Sequence, residues 1–150
     1  ARNVMSAERR AYLDTSALAK WYLNEPNSDA FVNYLQTLDT AVISTLTRTE
    51  VRSLLSRRRR MRELTAELET LLFAAFIDDL DRGWLQQCPV EDDHFNQAVN
   101  LINRYPDHPL RTLDALHLAV ALHAGIDMLA TADAVMADAA SAMGLEVARF

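Results

Sequence analysis

The sequence predicts a three-layer α/β/α fold built around a central, mainly parallel sheet of about five strands. Short apolar runs alternate along the whole chain with longer segments whose apolar residues recur at helical spacing. Strands that alternate with helices in this way are typical of a parallel sheet covered by helices on both faces. No Gly- or Ser-rich linker and no repeat divides the 150 residues. We therefore expect a single domain over residues 10–150, preceded by a polar extension over residues 1–9.

Local signals predict the first two strands and the first two helices. An apolar run predicts a strand at residues 10–13, and the Asp-Thr-Ser sequence at residues 14–16 is a helix-start signal. The helix that follows must end before the next proline. Ser28 can cap a second helix. Its inward-facing side chains would be Phe31, Val32, Leu35 and Leu38. The apolar run at residues 41–45 is then expected to form the second strand.

The middle of the chain carries one long helical region and a third strand. Apolar residues recur at helical spacing from Val51 to Phe76, and Gly83 is expected to end this helix. The segment at residues 84–90 is the expected third strand. A carboxylate, Asp92 or Asp93, can cap the helix after it. The apolar positions of that helix are Phe95, Ala98, Val99 and Ile102.

The last third of the chain contains the most apolar helix of the sequence. Residues 113–124 are apolar almost all round, so this helix should be buried. Gly125 fits the position directly after its end, where glycine is favoured. The following elements are expected to be a strand at residues 128–131, a helix at residues 135–143 and a final strand at residues 145–150.

Composition excludes several classes of protein. The single cysteine, Cys88, rules out an intrachain disulfide framework and fits a reducing compartment. No apolar stretch approaches the roughly 20 residues that a membrane helix requires, and residues 1–10 lack the apolar segment of a secretory signal. We therefore expect a cytoplasmic protein without membrane association. The four histidines lack zinc-type spacing, and His117 and His123, on the apolar helix, are expected to be core or interface residues.

Four acidic residues occupy the ends of apolar runs or the beginnings of helices. Asp14 and Asp133 each follow a predicted strand, Asp114 begins the apolar helix, and Glu50 lies early in the helix after the second strand. Because the carboxyl ends of parallel strands share one edge of the sheet, we expect these side chains to converge. Converging carboxylates repel each other unless protons or a hard cation neutralise them. The pattern therefore predicts a Mg²⁺ or Mn²⁺ site, and hence phosphate chemistry.

Each of these acids, taken alone, also has a structural explanation. Asp14 and Asp133 are good helix N-caps, and Glu50 would be favoured by the dipole of the helix in which it lies. Asp114 is harder to explain, because a carboxylate on so apolar a helix would be partly buried, and burying an unpaired charge is costly. A cation, or an arginine such as Arg111, would relieve that cost.

Positive charge is concentrated in one segment, although the whole chain carries a formal charge of −6. Residues 48–62 contain seven arginines and one acid, a net +6, so the remainder carries −12. A protein whose positive and negative charges are separated in this way can bind a polyanion beside an acidic pocket. The run at residues 57–60 could equally be a solvated helix face. The candidate polyanion-binding residues are Arg48, Arg52, Arg57, Arg58, Arg59 and Arg60.

Four motifs, in order along the chain, closely resemble the PIN-domain family. They are Leu13-Asp14-Thr15-Ser16-Ala17-Leu18, Ile43-Ser44 leading to Glu50, Arg111-Thr112-Leu113-Asp114-Ala115-Leu116-His117-Leu118-Ala119, and Thr131-Ala132-Asp133. The resemblance is strongest to the toxin ribonucleases of VapBC-type toxin–antitoxin pairs, and it covers about residues 10–150. The polar extension before the first strand departs from that pattern, and the tetra-arginine run matches no motif of the family.

The resemblance implies a metal-dependent endoribonuclease. Its catalytic, metal-binding acids would be Asp14, Glu50, Asp114 and Asp133. The hydroxyls that position these acids or the metal-bound water would be those of Thr15, Ser16 and Thr131. With Mg²⁺ or Mn²⁺ bound, an activated water would attack the RNA phosphodiester and leave 5′-phosphate and 3′-hydroxyl ends. The arginine-rich segment would then bind the RNA.

The same resemblance implies two protein partners. A VapB-like antitoxin would insert a peptide into the groove and place a basic side chain against the acids. A second copy of the chain would form a homodimer. Exposed Trp, Phe or Leu side chains on the helices at residues 28–38 and 63–82 could supply these surfaces.

Two other classes of function fit part of the pattern. A phosphoacceptor signalling domain would be modified at Asp14, but such a site needs a lysine opposite it, and the only lysine, Lys20, follows a few residues later. A haloacid-type phosphatase would need a second aspartate where Ser16 stands. A catalytically silent PIN-like module that only binds RNA or protein would not require the acids, all four of which are present.

Overall fold

The computed structural model describes residues 8–150, which contain five strands and seven helices. The strands are β1 (Arg10–Leu13), β2 (Thr40–Ser44), β3 (Leu85–Cys88), β4 (Met128–Thr131) and β5 (Glu146–Arg149). The helices are α1 (Thr15–Tyr22), α2 (Ser28–Leu35), α3 (Thr45–Arg60), α4 (Ala66–Asp81), α5 (Asp92–Arg104), α6 (Thr112–His123) and α7 (Ala134–Ala142). Most of the expected polar extension, residues 1–7, lies outside the described residues. No helix within residues 8–150 is long and apolar enough to cross a membrane.

All five strands form one parallel sheet in the order β3-β2-β1-β4-β5. With helices on both faces, this confirms the predicted α/β/α fold. The chain adds β2 and β3 on one side of β1 and then crosses to place β4 and β5 on the other side. The direction of winding therefore reverses between β1 and β4. A reversal of this kind opens a crevice at the carboxyl ends of the two central strands, where ligands bind in such sheets.

Helices cover both faces of the sheet and bury two apolar clusters. Successive side chains of a strand point to opposite faces. Tyr12 accordingly packs with α5, α6 and α7, whereas Ala11 and Leu13 pack with α1 to α4. Helix α6 is buried along residues 115–121, as its apolar sequence predicts. Gly125 follows this helix with a φ of 69°, the left-handed conformation that glycine adopts without strain.

The long helical region predicted to end at Gly83 is two helices rather than one. Helix α3 stops because Arg62 takes the left-handed conformation, with a φ of 62°, and the amide of Glu63 donates back to the carbonyl of Arg58 at 2.9 Å. Thr65 begins α4 by accepting from the amide of Leu68 at 3.1 Å. The prediction of a single helix was wrong because an arginine occupies the left-handed position, which glycine usually marks.

In two helices the N-cap is the residue before the first expected cap, which is itself the first helical residue. Asn27 rather than Ser28 is the N-cap of α2, and Glu91 rather than an aspartate is the N-cap of α5. The Ser28 hydroxyl instead accepts from the amide of Glu25 at 2.9 Å and donates to the carbonyl of Leu23 at 3.1 Å. Ser28 therefore closes the loop before α2, a role that competes with capping in side chains of this kind.

Helix α5 leaves most of its large apolar side chains on the surface. Of the four apolar positions noted in its sequence, only Ala98 is buried, together with Leu101 one turn later. Phe95, Val99 and Ile102 are exposed. Their spacing of four and three residues places them in one stripe along the outer face of the helix. Contiguous apolar surface of this kind is typical of an interaction site.

Two arginines of the basic segment join α3 to α4. Glu69, in the first turn of α4, is only 4% exposed. Arg52 donates to its Oε1 at 2.8 Å, and the guanidinium of Arg59 contacts its Oε2. Both arginines are about half exposed, so water screens part of the attraction. The carboxylate itself depends on them, because a buried charge without partners is costly.

Replacing Glu69 by glutamine tests this connection. Glu69→Gln should lower the free energy of unfolding by about 2 kcal/mol, because charge-assisted hydrogen bonds to a buried carboxylate are lost. The thermal midpoint should fall by about 4–8 °C in a domain of this size. Glu67→Gln, exposed in the same turn, is the matched control and should change little. Thermal unfolding followed by circular dichroism measures both, and equal midpoints for the two variants would contradict the role of Glu69.

Candidate active site

The four predicted acids line one cleft at the crevice between β1 and β4. Asp14 follows β1, Asp133 follows β4, Glu50 lies on α3, and Asp114 lies in the first turn of α6. The cleft has a volume of about 780 Å³. Its other polar wall residues are Thr15, Ser16, Arg57, Arg111, Thr112 and His117. Acids that are far apart in the sequence therefore share one opening, at the point where a reversed parallel sheet favours ligand binding.

Asp14 is the most buried of the four acids, with 4% of its surface exposed. As the N-cap of α1, it accepts at Oδ1 from the amide of Ala17 at 2.9 Å. Ser16 Oγ donates to the same oxygen at 2.7 Å, and Thr131 Oγ1 donates to Oδ2 at 2.6 Å. Asp14 thus caps a helix and also lines the cleft.

Two backbone amides orient the hydroxyls that bind Asp14. The amide of Ala132 donates to Ser16 Oγ at 2.9 Å, and the amide of Asp133 donates to Thr131 Oγ1 at 3.0 Å. Because each hydroxyl accepts from an amide, its own proton is available to the carboxylate. Burial nevertheless raises the pKa of Asp14 above its ordinary value, and the hydrogen bonds oppose this only in part. A cation beside Asp14 would favour its charged form.

Glu50 is held from two sides through one of its oxygens. Thr15 Oγ1 donates to Oε1 at 2.9 Å, and His117 Nε2 contacts the same oxygen. Burial alone would raise the pKa of Glu50. The hydrogen bond and the charge of His117, with the hydrogen bond of Thr15, outweigh burial, so this pKa lies below its usual range. Glu50 is therefore ionised, and no residue of the described chain forms a hydrogen bond with Oε2.

His117 is the site residue that sequence analysis did not select. It is buried, as expected of a core histidine, with 3% of its surface exposed. It also joins Glu50 to Tyr12, whose hydroxyl lies 2.6 Å from Nδ1 and 3.0 Å from Ser44 Oγ. Burial raises the pKa of Tyr12 far above its usual value, so the phenol keeps its proton. The available sequence signal was spacing, because His117 follows Asp114 by three residues and shares its helix face.

Asp114 and Asp133 each use one oxygen at a helix start. Asp114 Oδ2 accepts from the backbone amide of Arg111 at 3.3 Å, and Asp133 Oδ1 accepts from the amide of Met136 at 3.0 Å. Arg111 therefore contacts Asp114 through its backbone amide, and its guanidinium forms no ion pair with that carboxylate. Burial raises the pKa of Asp114, and the negative charge of Asp133 raises it further. The second oxygen of each acid has no hydrogen-bond partner within residues 8–150.

The carboxylate oxygens that line the cleft fit a hydrated, hard divalent cation. Glu50, Asp114 and Asp133 each keep one oxygen without a hydrogen bond from the described part of the chain, and no thiol lines the cleft. Within residues 8–150, no three acidic, imidazole or thiol side chains are placed to hold one ion together. Mg²⁺ usually keeps several waters and binds through one or two carboxylates. The arrangement thus suits Mg²⁺ or Mn²⁺ better than a zinc ion, which needs three or four protein ligands.

Only one of the six candidate polyanion-binding arginines, Arg57, lines the acidic cleft. The other five are exposed or paired with acids: Arg48 and Arg60 are exposed, Arg52 and Arg59 contact Glu69, and Arg58 contacts Glu25 at 2.9 Å and Glu63 at 2.8 Å. Three of the six candidate arginines, Arg52, Arg58 and Arg59, are therefore paired with neighbouring acids, and one of the unpaired guanidiniums, that of Arg57, reaches the cleft.

Lys20 lies away from the carboxylates of the cleft. It is 7% exposed, and its Nζ donates to the carbonyl of Pro26 at 2.7 Å and lies 3.5 Å from Glu25 Oε2. Lys20, the only lysine of the sequence, does not line the cleft. The acidic site accordingly lacks the lysine that a phosphoacceptor domain of the type considered above requires.

Comparison with known proteins places this geometry in a family. The family model described as PIN domain matches residues 11–142. Over 143 residues the chain is 39% identical to ribonuclease VapC46 of Mycobacterium tuberculosis, covering 91% of this chain and 94% of that protein.

Two solved structures share the fold at lower sequence identity. The crystal structure of Mycobacterium tuberculosis VapC20, a sarcin-ricin loop cleaving toxin, has a TM-score of 0.72 and 19% identity, with coverage of 93% of this chain and 99% of that one. VapBC2 of Rickettsia felis, bound to a DNA fragment from its promoter, has a TM-score of 0.69 and 14% identity, with coverage of 94% and 98%. These two likenesses establish the fold. The family match and the VapC46 identity show that this chain belongs to the PIN-domain family.

Proposed function

We propose that this protein is a Mg²⁺- or Mn²⁺-dependent endoribonuclease that acts as the toxin of a toxin–antitoxin pair. The observation that carries the proposal is the convergence of four carboxylates in one cleft at the reversal point of a parallel sheet. Membership of the PIN-domain family and 39% identity to a ribonuclease, VapC46, support RNA as the substrate. Such a cleft accepts a phosphodiester only when a cation offsets the repulsion between its acids and the phosphate.

The acids divide into two pairs in this proposal. Asp14 and Asp114 are the principal ligands of the cation, and Glu50 and Asp133 complete the acidic wall. When bound, the cation would lower the pKa of a water molecule and neutralise the charge that develops on the phosphate. Because Glu50 is ionised without the cation, it supplies negative charge that attracts the cation into the cleft.

The groups around the acids fix their orientation. Ser16 and Thr131 donate to Asp14, and Thr15 and His117 bind Glu50. Since backbone amides hold Ser16 and Thr131, and the buried Tyr12 holds His117, the carboxylates need little rearrangement when RNA binds. We propose that water, rather than the ribose 2′-hydroxyl, attacks the phosphate and displaces the 3′-oxygen, because a divalent cation in the cleft would activate a bound water. The expected products carry a 5′-phosphate and a 3′-hydroxyl.

We also propose that the chain binds a VapB-like antitoxin and a second copy of itself. The likeness in fold to VapBC2 of Rickettsia felis supports the antitoxin. Exposed apolar side chains are available for both contacts: Leu68 and Leu71 on α4, and Phe95, Val99 and Ile102 on α5. The exposed leucines of α4 lie in the segment at residues 63–82, where the sequence suggested a partner surface. The exposed apolar side chains of α5 form a second candidate surface, which the sequence analysis did not name. An RNA substrate and an antitoxin partner fit a cytoplasmic site of action.

Mapping RNA ends tests the reaction directly. Expression of the wild type should create new 5′-phosphate ends at defined sites in total RNA, and purified protein should cut the same sites in Mg²⁺ but not in a chelator. Asp114→Asn should reduce cleavage by at least about 100-fold, because the charge stabilisation given by a bound metal is worth several kcal/mol. Its amide oxygen can still accept from Arg111, so the fold should persist.

Asp107→Asn is the matched control, since Asp107 is exposed in the loop before α6 and does not line the cleft. It should cut RNA as the wild type does. Equal rates of RNA cleavage by Asp114→Asn and the wild type would contradict the proposed metal site. A wild type that binds RNA and cuts none would favour the catalytically silent module considered above.

A substitution at His117 tests whether this side chain positions Glu50. His117→Leu keeps an apolar side chain of similar size but loses the donor, and kcat should fall about 10–100-fold, the usual effect of losing a group that orients a ligand. His117→Gln, whose amide can still donate to Glu50, should retain more activity. Initial rates in Mn²⁺ give kcat, and His123→Leu, exposed at the end of the same helix, is the control. Equal kcat for the leucine and glutamine variants would show that His117 contributes packing alone.

A further inference from the structure

The acidic cleft continues into a second, smaller cleft along α3. The second cleft has a volume of about 410 Å³ and is lined by residues of α1, α3, the start of α6 and the loops after α1 and β4. Five residues line both clefts: Thr15, Ser16, Glu50, Arg57 and Leu113. Because they share so much of their walls, the two clefts form one trough, which we call the α3 trough. It leads from the four acids toward the basic end of α3.

Arg57 and Arg111 both line this trough without an ion pair to a carboxylate within residues 8–150, and of these two only Arg57 lines both clefts. Arg58 also lines it, but both of its terminal nitrogens are engaged, one by Glu25 and one by Glu63. Arg57 is exposed and forms no ion pair with any carboxylate within residues 8–150. An unbalanced guanidinium beside several carboxylates offers a binding point for an anion, and its planar donors match a phosphate group.

The helix geometry places this guanidinium next to the acids. Arg57 follows Glu50 by seven residues, which is close to two turns, so both side chains lie on the same face of α3 about 10 Å apart along its axis. Side chains in a helix lean toward its N-terminus. The Arg57 side chain therefore reaches back from the basic end of α3 toward Glu50, which agrees with its place on the wall of both clefts.

We infer that Arg57 binds a phosphate of the RNA adjacent to the one that is cleaved, and so places the strand along the α3 trough. This inference rests on the proposed ribonuclease function. The acids and their cation receive the phosphate to be cut, and Arg57 holds its neighbour by charge and hydrogen bonds. A contact of this kind orients the strand without reading its bases. It exists before and during the reaction, so it lowers KM and leaves kcat unchanged.

Two arginine-to-alanine variants on the same helix test the inference. Arg57→Ala is compared with Arg60→Ala, because Arg60 is exposed, donates to Ser56 of its own helix at 2.8 Å and lines neither cleft. In an Asp114→Asn background, which prevents cutting, each variant is titrated with a fluorescent single-stranded RNA oligonucleotide at several salt concentrations. The negative slope of log affinity against log salt should become less steep by about 0.7 for Arg57→Ala, because one phosphate contact on a single strand is lost. It should not change for Arg60→Ala.

Kinetics in the wild-type background complete the test. Arg57→Ala should raise KM about tenfold, because a charge-assisted hydrogen bond is lost, and should leave kcat unchanged. In the titration, Arg57→Lys should keep the wild-type salt slope because it keeps the charge. The inference is overturned if Arg57→Ala and Arg60→Ala behave alike, or if kcat falls while KM does not. Either result would leave the ribonuclease proposal standing, provided that the wild type cuts RNA. A wild type that neither binds nor cuts RNA would overturn both.

Discussion

A buried carboxylate at the end of the central strand is the constraint on which the rest of the site depends. Asp14 is nearly inaccessible to water, and burying a charge is costly unless other groups satisfy it. Three donors meet it, one from the backbone of α1 and two from hydroxyls that backbone amides orient. Because these donors come from the start of α1 and the end of β4, satisfying Asp14 joins the two central strands at the point where the sheet reverses.

The distribution of charge follows from this constraint. Three of the six arginines of α3 pair with acids outside the helix, and Glu69 binds two of them. The acids of the cleft receive no such partner within residues 8–150, apart from the contact of His117 with Glu50. Burial and the charge of Asp133 both raise the pKa of Asp114, and the proposed cation would oppose both effects. Under the proposed function, these carboxylates are left for a metal ion rather than for arginine partners.

The sequence allowed the sheet and the four acids to be predicted, because both depend on local patterns. The strand predicted at residues 10–13 and the acid after it, Asp14, lie where expected, since an apolar run followed by a capping residue is a local signal. The break between α3 and α4 was missed because Arg62 adopts a conformation that its identity disfavours. His117 was assigned to the core because its contact with Glu50 exists only after distant helices pack together.

The central claim is that one divalent cation occupies the cleft formed by the four acids. The most direct measurement is anomalous X-ray scattering from crystals grown with Mn²⁺, because the manganese signal locates the ion independently of any assumption about its ligands. The account expects one strong anomalous peak in the cleft, within direct or water-mediated reach of Asp14 and Asp114. A fully occupied Mn²⁺ elsewhere on the molecule, with no peak between these carboxylates, would contradict it.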